Sequence, residues 1–290
     1  MSFPYKKVAV FGATSGIGKA LAERFLENGI FVIAIARRKE RLAELVHQYG
    51  HDKVEASPFD ITKLDAIPNY VTNLTSTHPD LDLVFLNSGI QRPLDFTKPE
   101  SVDLDVVQEE FMTNYLSPVA FTKAFLPHLL SRAKDSKTAG ILYTTSGLAL
   151  TPIPTVPNYC ATKAAMHSMI LTLRDQLGDT GVRVLELYPP AVQTELHGDK
   201  GKHIGMPLDE FTNDVSHSLS FCRILSCNYG LFVVTSANVC DYPGVERSVR
   251  RQRSGAGRNS REGFRRVREE KAGDVPGHGA NGQKRDSTSR

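Results

Sequence analysis

With 290 residues, 40% of them hydrophobic, the chain can build one large α/β domain or two small ones. No apolar run approaches the ~18 residues that a membrane-spanning helix needs, and the amino terminus, Met-Ser-Phe-Pro-Tyr-Lys-Lys, lacks a signal-peptide core. A soluble cytoplasmic protein is therefore expected. Four cysteines (Cys160, Cys222, Cys227, Cys240) form neither a Cys-x-x-Cys pair nor a disulfide framework, which fits a reducing compartment, and no metal site is read. The net charge of +3 hides a split. Residues 1–216 hold 21 Lys and Arg against 25 Asp and Glu (−4), while residues 217–290 hold 14 against 7 (+7).

Lys7–Phe11 reads as a strand, followed at once by Gly12-Ala13-Thr14-Ser15-Gly16-Ile17-Gly18 and then by helical periodicity from Lys19 to Leu26. Strand, glycine turn and helix form the context that a dinucleotide site requires. Glycines allow a sharp turn and close approach of phosphate, and the helix amino terminus offers free N–H groups and positive dipole. Gly12, Thr14, Ser15, Gly16, Ile17 and Gly18 are the candidate contacts. The second strand, Ile30 to Ala36, runs into Arg37-Arg38-Lys39, with no acid before Glu40. An acid at this point serves the ribose hydroxyls of NAD, whereas arginine accommodates a 2′-phosphate, so Arg37 and Arg38 favour NADP(H) over a merely solvated helix start.

Val54 to Phe59 gives a third strand ending at Asp60 and Ile61, where the carboxylate can meet an adenine edge or cap the helical stretch that follows; the two roles can coexist. Leu81 to Leu86 is a fourth strand, and Asn87-Ser88-Gly89 at its carboxyl end suits close approach of a cofactor. Leu104 to Leu130 reads as a long amphipathic helix carrying Asn114, with a kink expected near Pro118. Ala139 to Thr145 reads as a buried strand that delivers Ser146 to the ligand-binding edge of an open sheet. Asn158 to Leu177 reads as a helix on which Tyr159 and Lys163, four apart, share a face. A phenol beside an ammonium is a workable acid–base pair, and the cation is expected to pull the phenol pKa down from about 10. After a sixth strand, Val182 to Tyr188, come Pro189-Pro190-Ala191-Val192-Gln193-Thr194. Strands and helices alternate from Lys7 to Thr194, which predicts an α/β fold: a Rossmann-type, doubly wound parallel sheet forming a single domain over 1–215.

Over roughly residues 5–215 these motifs together resemble the short-chain dehydrogenase/reductase family. Its Gly-x-x-x-Gly-x-Gly turn matches Gly12, Gly16 and Gly18, with Phe11 where a threonine is common. Its Asn-Ala-Gly appears as Asn87-Ser88-Gly89. Gly89-Ile90-Gln91-Arg92, Ser146-Gly147-Leu148-Ala149, Tyr159 to Ala165 and Leu187 to Val192 resemble one branch, the DltE-like oxidoreductases. That branch is named after a bacterial teichoic-acid D-alanylation gene cluster, and no substrate is carried over from it.

The resemblance implies a catalytic tetrad of Asn114, Ser146, Tyr159 and Lys163. Tyr159 would exchange a proton with a carbonyl oxygen, Ser146 would bond that oxygen, and Lys163 would hold the nicotinamide ribose. Asn114 would hold a water linking Lys163 to solvent. It further implies that Pro189, Val192 and Thr194 lie along the nicotinamide, with Thr194 on its carboxamide side, and that the protein pairs as a homodimer or homotetramer. Gln91, Arg92, Pro93, Leu148, Leu150, Ile153, Ala191 and Val192 are the candidate lining of an apolar cleft for a small carbonyl or alcohol substrate.

From about 216 the character changes. Gly244 to Arg290 is dominated by Arg, Gly, Ser and Glu and should build no core, so the tail is expected to be disordered. Interspersed acids argue against a nucleic-acid arm. Val215-Ser216 can be encoded by GTAAGT, the usual start of an intron, and a retained intron followed by a shifted frame would make 216–290 a gene-model artefact. Three readings stand at this point: an NADP-dependent oxidoreductase, a non-catalytic NADP-binding regulator, and a product mis-assembled at its carboxyl end.

Overall fold

The computed structural model describes residues 3–203, 205–221 and 232–234. Six parallel strands and one antiparallel strand form a single sheet in the order β3-β2-β1-β4-β5-β6-β7. The strands are β1 (Lys7–Phe11), β2 (Phe31–Ala36), β3 (Val54–Pro58), β4 (Leu83–Leu86), β5 (Gly140–Thr144), β6 (Arg183–Tyr188) and β7 (Phe232–Val234). The helices are α1 (Gly16–Glu27), α2 (Lys39–Tyr49), α3 (Ile67–Thr77), α4 (Leu104–Phe111), α5 (Ser117–Lys134), α6 (Pro157–Leu177) and α7 (Leu208–Phe221).

The two-residue alternation of the strands explains why helices cover both faces. Val8, Val10, Val32, Ala34, Phe85 and Leu142 point to one side, where Leu21 and Phe25 of α1, Leu42 of α2 and Phe211 of α7 complete a core. Ala9, Phe11, Ile33, Ile35, Val84 and Ile141 point to the other, where Val71 of α3, Phe121 and Phe125 of α5, and Ile170 of α6 do the same. Strand order reverses between β3-β2-β1 and β4-β5-β6, and a crevice at such a reversal, at the carboxyl ends of the strands, is where open α/β sheets take ligands.

Between α4 and α5 the chain departs from the single kinked helix expected over 104–130. A π-helical turn, Met112–Leu116, interrupts it, and Pro118 follows two residues later, at the start of α5. The break therefore precedes the proline, and Asn114 sits inside the widened turn. Of the stretch read as a tail, the last residues of α7 and β7 are described; the disordered and artefactual readings of the rest fall outside the described residues. Among the described residues no helix is long and apolar enough to cross a membrane.

Candidate active site

The β1–α1 turn shows why its glycines stand where they do. Gly12 and Gly16 have φ of 82° and 51°, a region that side-chain-bearing residues avoid. Gly18 takes ordinary helical φ, but a Cβ there would collide with the Gly12 carbonyl oxygen and Asn87 Nδ2. A Cβ at Gly12 would come within 3.2 Å of Asn87 Nδ2 and 3.1 Å of Ser88 Oγ, and one at Gly16 within 3.3 Å of Thr194. The turn thus nests between Asn87-Ser88 after β4 and Thr194 after β6. Ser15, the residue preceding α1, makes no side-chain cap, so its hydroxyl does not occupy the first N–H groups of the helix. This cradle fits a dinucleotide pyrophosphate.

The basic pair behaves unequally. Arg38 donates from Nε and Nη2 to Thr14 Oγ1 at 3.1 and 2.9 Å, and from Nη2 to Ser15 Oγ at 2.6 Å. Arg37 is exposed and lies near Asp60. Asp60 Oδ1 accepts from Thr62 N at 3.1 Å and Thr62 Oγ1 at 2.8 Å, so the capping role is the one its contacts display. Burial pushes the Asp60 carboxyl up, but the Thr62 bonds and Arg37 together hold it below the usual range. Ile61 beside it is half-buried.

Ser146, Tyr159 and Lys163 meet at the end of β5. Ser146 is 8% exposed, Tyr159 5% and Lys163 3%. The Ser146 hydroxyl accepts from Leu148 N at 3.1 Å and stands near enough to the Tyr159 phenol to act on its titration. Lys163 Nζ lies 5.6 Å from the centre of the Tyr159 ring and donates to the Thr144 carbonyl oxygen at 2.9 Å. A Cβ on Gly89 would stand 3.5 Å from Lys163 Nζ and 3.3 Å from Asn114 Oδ1, which brings Asn114 to the same place as Lys163.

Burial sets the protonation states. It raises the Tyr159 phenol, and Ser146 only partly offsets it, with the Glu110 charge adding to the rise. This reverses the direction expected from a neighbouring ammonium: burial sets the shift, and Lys163 Nζ, 5.6 Å from the ring centre, is not among the groups that lower it. Burial also lowers Lys163 to about 8, against the pull of Glu110 and Glu186.

Asn114 is 1% exposed, accepts from Ile90 N at 2.9 Å, and donates to the Ile90 carbonyl oxygen at 2.9 Å and to Thr162 Oγ1 at 3.1 Å. Its side chain therefore fastens the loop after β4 to α6. Pro189 accepts from Gly147 N at 3.0 Å, and Val192 bridges to Met206, so the segment leaving β6 is pinned on both sides of the site.

Three residues that sequence reading passed over belong here. Glu110 is fully buried, accepting from Arg92 N at 2.9 Å and Asn158 Nδ2 at 2.6 Å. Its position four before Asn114, on the same helix face, is the signal that was available. Arg41 and Glu195 join Arg38 in an ion-pair cluster, and Arg41 was legible as one helical turn on from Arg38.

Fold and site together define a dinucleotide-binding oxidoreductase scaffold. The sequence model described as short chain dehydrogenase matches residues 6–205. The uncharacterized oxidoreductase DltE of Bacillus subtilis is 39% identical over 199 residues, covering 68% of this chain and 75% of that protein. A Drosophila melanogaster protein, dehydrogenase/reductase SDR family protein 7-like, is 30% identical over 199 residues, covering 67% of this chain and 59% of that one. Among solved structures, the closed form of serine dehydrogenase complexed with NADP+ superposes with a TM-score of 0.64 at 28% identity, covering 72% of this chain and 87% of that chain. The chain belongs to the short-chain dehydrogenase family, in its DltE-like branch, and is an oxidoreductase of that family.

Proposed function

We propose that the protein transfers a hydride between NADPH and a small carbonyl or alcohol substrate, with residues 1–215 as the catalytic unit. The observation that carries this is the buried meeting of Ser146, Tyr159 and Lys163 beside a glycine cradle. NADPH, when bound, supplies the hydride, two electrons and one proton's mass delivered to the carbonyl carbon. The protein's part is then to bind the oxygen and deliver a proton to it. Tyr159, kept protonated by burial, donates its phenolic proton to the developing alkoxide and takes it back in the reverse direction. Ser146 donates a hydrogen bond to the same oxygen, where negative charge grows. Lys163, lowered to about 8 by burial, would hold the nicotinamide ribose and keeps a proton-exchanging ammonium close to Tyr159.

In this proposal Asn114 acts by fixing Ile90 and Thr162 and so the geometry around Lys163. Gly12, Thr14, Ser15, Gly16, Ile17 and Gly18 take the pyrophosphate; Arg37 and Arg38 serve the 2′-phosphate, Asp60 and Ile61 the adenine. Asn87, Ser88, Gly89, Pro189, Val192 and Thr194 flank the nicotinamide half. The NADP+ complex of a structural relative supports the cofactor choice. A homodimer or homotetramer in the cytoplasm completes the proposal. Exposed Leu130 on α5 and Leu171 on α6 support pairing through those helices.

The test is Tyr159→Phe assayed across a panel of carbonyl compounds with NADPH. Turnover by the wild type and its loss, with nucleotide binding kept, is the expected result; retained turnover in the variant sinks the assignment.

A further inference from the structure

The guanidinium groups at the start of α2 share one carboxylate. Glu195, next after Thr194 on the segment leaving β6, accepts from Arg38 Nη1 at 3.2 Å and from Arg41 Nη1 at 2.9 and 3.1 Å. The remaining edge of Arg38 is spent on the Thr14 and Ser15 hydroxyls, and Arg41 Nη1 also reaches the Thr14 carbonyl oxygen at 3.2 Å. Arg38 and Arg41 together with Glu195 therefore close over the β1–α1 turn from opposite sides of the cradle. Arg38 Nη1 and Arg41 Nη1, two donors that could meet a phosphate on the adenosine ribose, are thus already bonded to an anion, while Arg37, among the described residues, is not.

We propose that Glu195 is a specificity-determining residue: its carboxylate competes with the 2′-phosphate of NADPH for Arg38 and Arg41, and so limits the preference for NADPH over NADH. The inference rests on the NADP reading above. A phosphate monoester brings a charge of about −1.5 to −2 and three strong acceptor oxygens, and it cannot share these donors with a carboxylate without like-charge repulsion. NADH presents a hydroxyl there. It needs no guanidinium, and a nearby carboxylate can accept its hydrogen bond, the role of the acid that the end of β2 lacks. The sequence Ala36-Arg37-Arg38 alone thus overstates the bias, because the acid arrives in space from a point 157 residues away.

The test is a titration of the full chain with NADPH and NADH, read by nicotinamide fluorescence, and with adenosine 2′,5′-bisphosphate as a competitor that displaces NADPH, for wild type, Glu195→Gln and Glu195→Ala. Glu195 is more than half exposed (58%), so both variants should fold, and a cooperative melt checks this. Exposed ion pairs are individually weak, so the expected gain for NADPH and for the bisphosphate is about three- to tenfold, with NADH unchanged or weaker. The gain should shrink as salt is raised. Weaker NADPH binding in both variants, beside a wild type that still prefers NADPH, overturns the inference and makes Glu195 an organiser of the arginines. A wild-type NADPH affinity that Arg38→Ala does not change overturns the NADP reading itself, and the inference with it.

Discussion

The Asn114 side chain and the Ile90 backbone exchange hydrogen bonds in both directions, each at 2.9 Å. The amide is thereby used as a splint: it stands in for a backbone partner at the loop after β4, where the chain has left the sheet and has no strand neighbour. The π-helical turn at Met112–Leu116 is what aims it there. Asn114→Ala should leave the Ile90 N–H and carbonyl unpaired and lower stability by about 2 kcal/mol. A thermal melt measures it, and a variant as stable as wild type would show that water replaces the splint without loss.

Glu110 accepts two hydrogen bonds, one on each carboxylate oxygen, from Arg92 N and Asn158 Nδ2. Glutamine offers one oxygen and one amide, so Glu110→Gln sets a donor against a donor wherever the side chain turns. The expected cost is about 1–3 kcal/mol, with a drop in turnover because Asn158 precedes Tyr159. Urea melts and steady-state assays on one preparation read both effects.

Gly18→Ala tests the cradle. Its Cβ would meet the Gly12 carbonyl and Asn87 amide, neither of which can retreat without reshaping the turn. Overpacking of this kind costs about 1–3 kcal/mol, and nucleotide affinity should fall at least as far. Unchanged affinity in a folded variant would place the nucleotide elsewhere.

Lys163 supplies a pH dependence. Burial lowers its pKa from 10.5 to about 8, so between those values the folded protein holds fewer protons than the unfolded chain. The Lys163 contribution to stability therefore rises with pH through about 8 to 10.5 and is flat outside that window. Comparing wild type with Lys163→Met across the range should show the wild type catching up as pH rises. The rate of the wild type should inflect near pH 8, and a stability difference constant across the window would remove the assigned burial cost.

Much of this architecture is legible in the sequence because its signals are local. Lys7–Phe11, the glycine turn and the α1 periodicity each announce themselves, and the positions of Ser146, Tyr159 and Lys163 follow from strand end and helix spacing. Pro118 marks the neighbourhood of the irregularity but not its form: Met112–Leu116 has the same side-chain types as the helices on either side, so a π turn cannot be told there from a kink. Glu110 shares a helix face with Asn114, which spacing shows, but its burial under the Arg92 loop does not follow from spacing. The direction of the Tyr159 shift depends on how much protein surrounds the ring, which no spacing encodes. Glu195 and Arg38 are partners only once β6 has come to lie beyond β1.

Hydride transfer to a carbonyl carbon should depend on the Tyr159 hydroxyl, and deuterium labelling reads that dependence. Wild type and Tyr159→Phe would each be incubated with NADPH deuterated at the nicotinamide C4 and a panel of carbonyl compounds, with NADPH binding measured alongside. Deuterium at the carbinol carbon with wild type, and its loss in the variant at unchanged NADPH affinity, is the predicted result. Label transferred equally by both proteins would contradict the account.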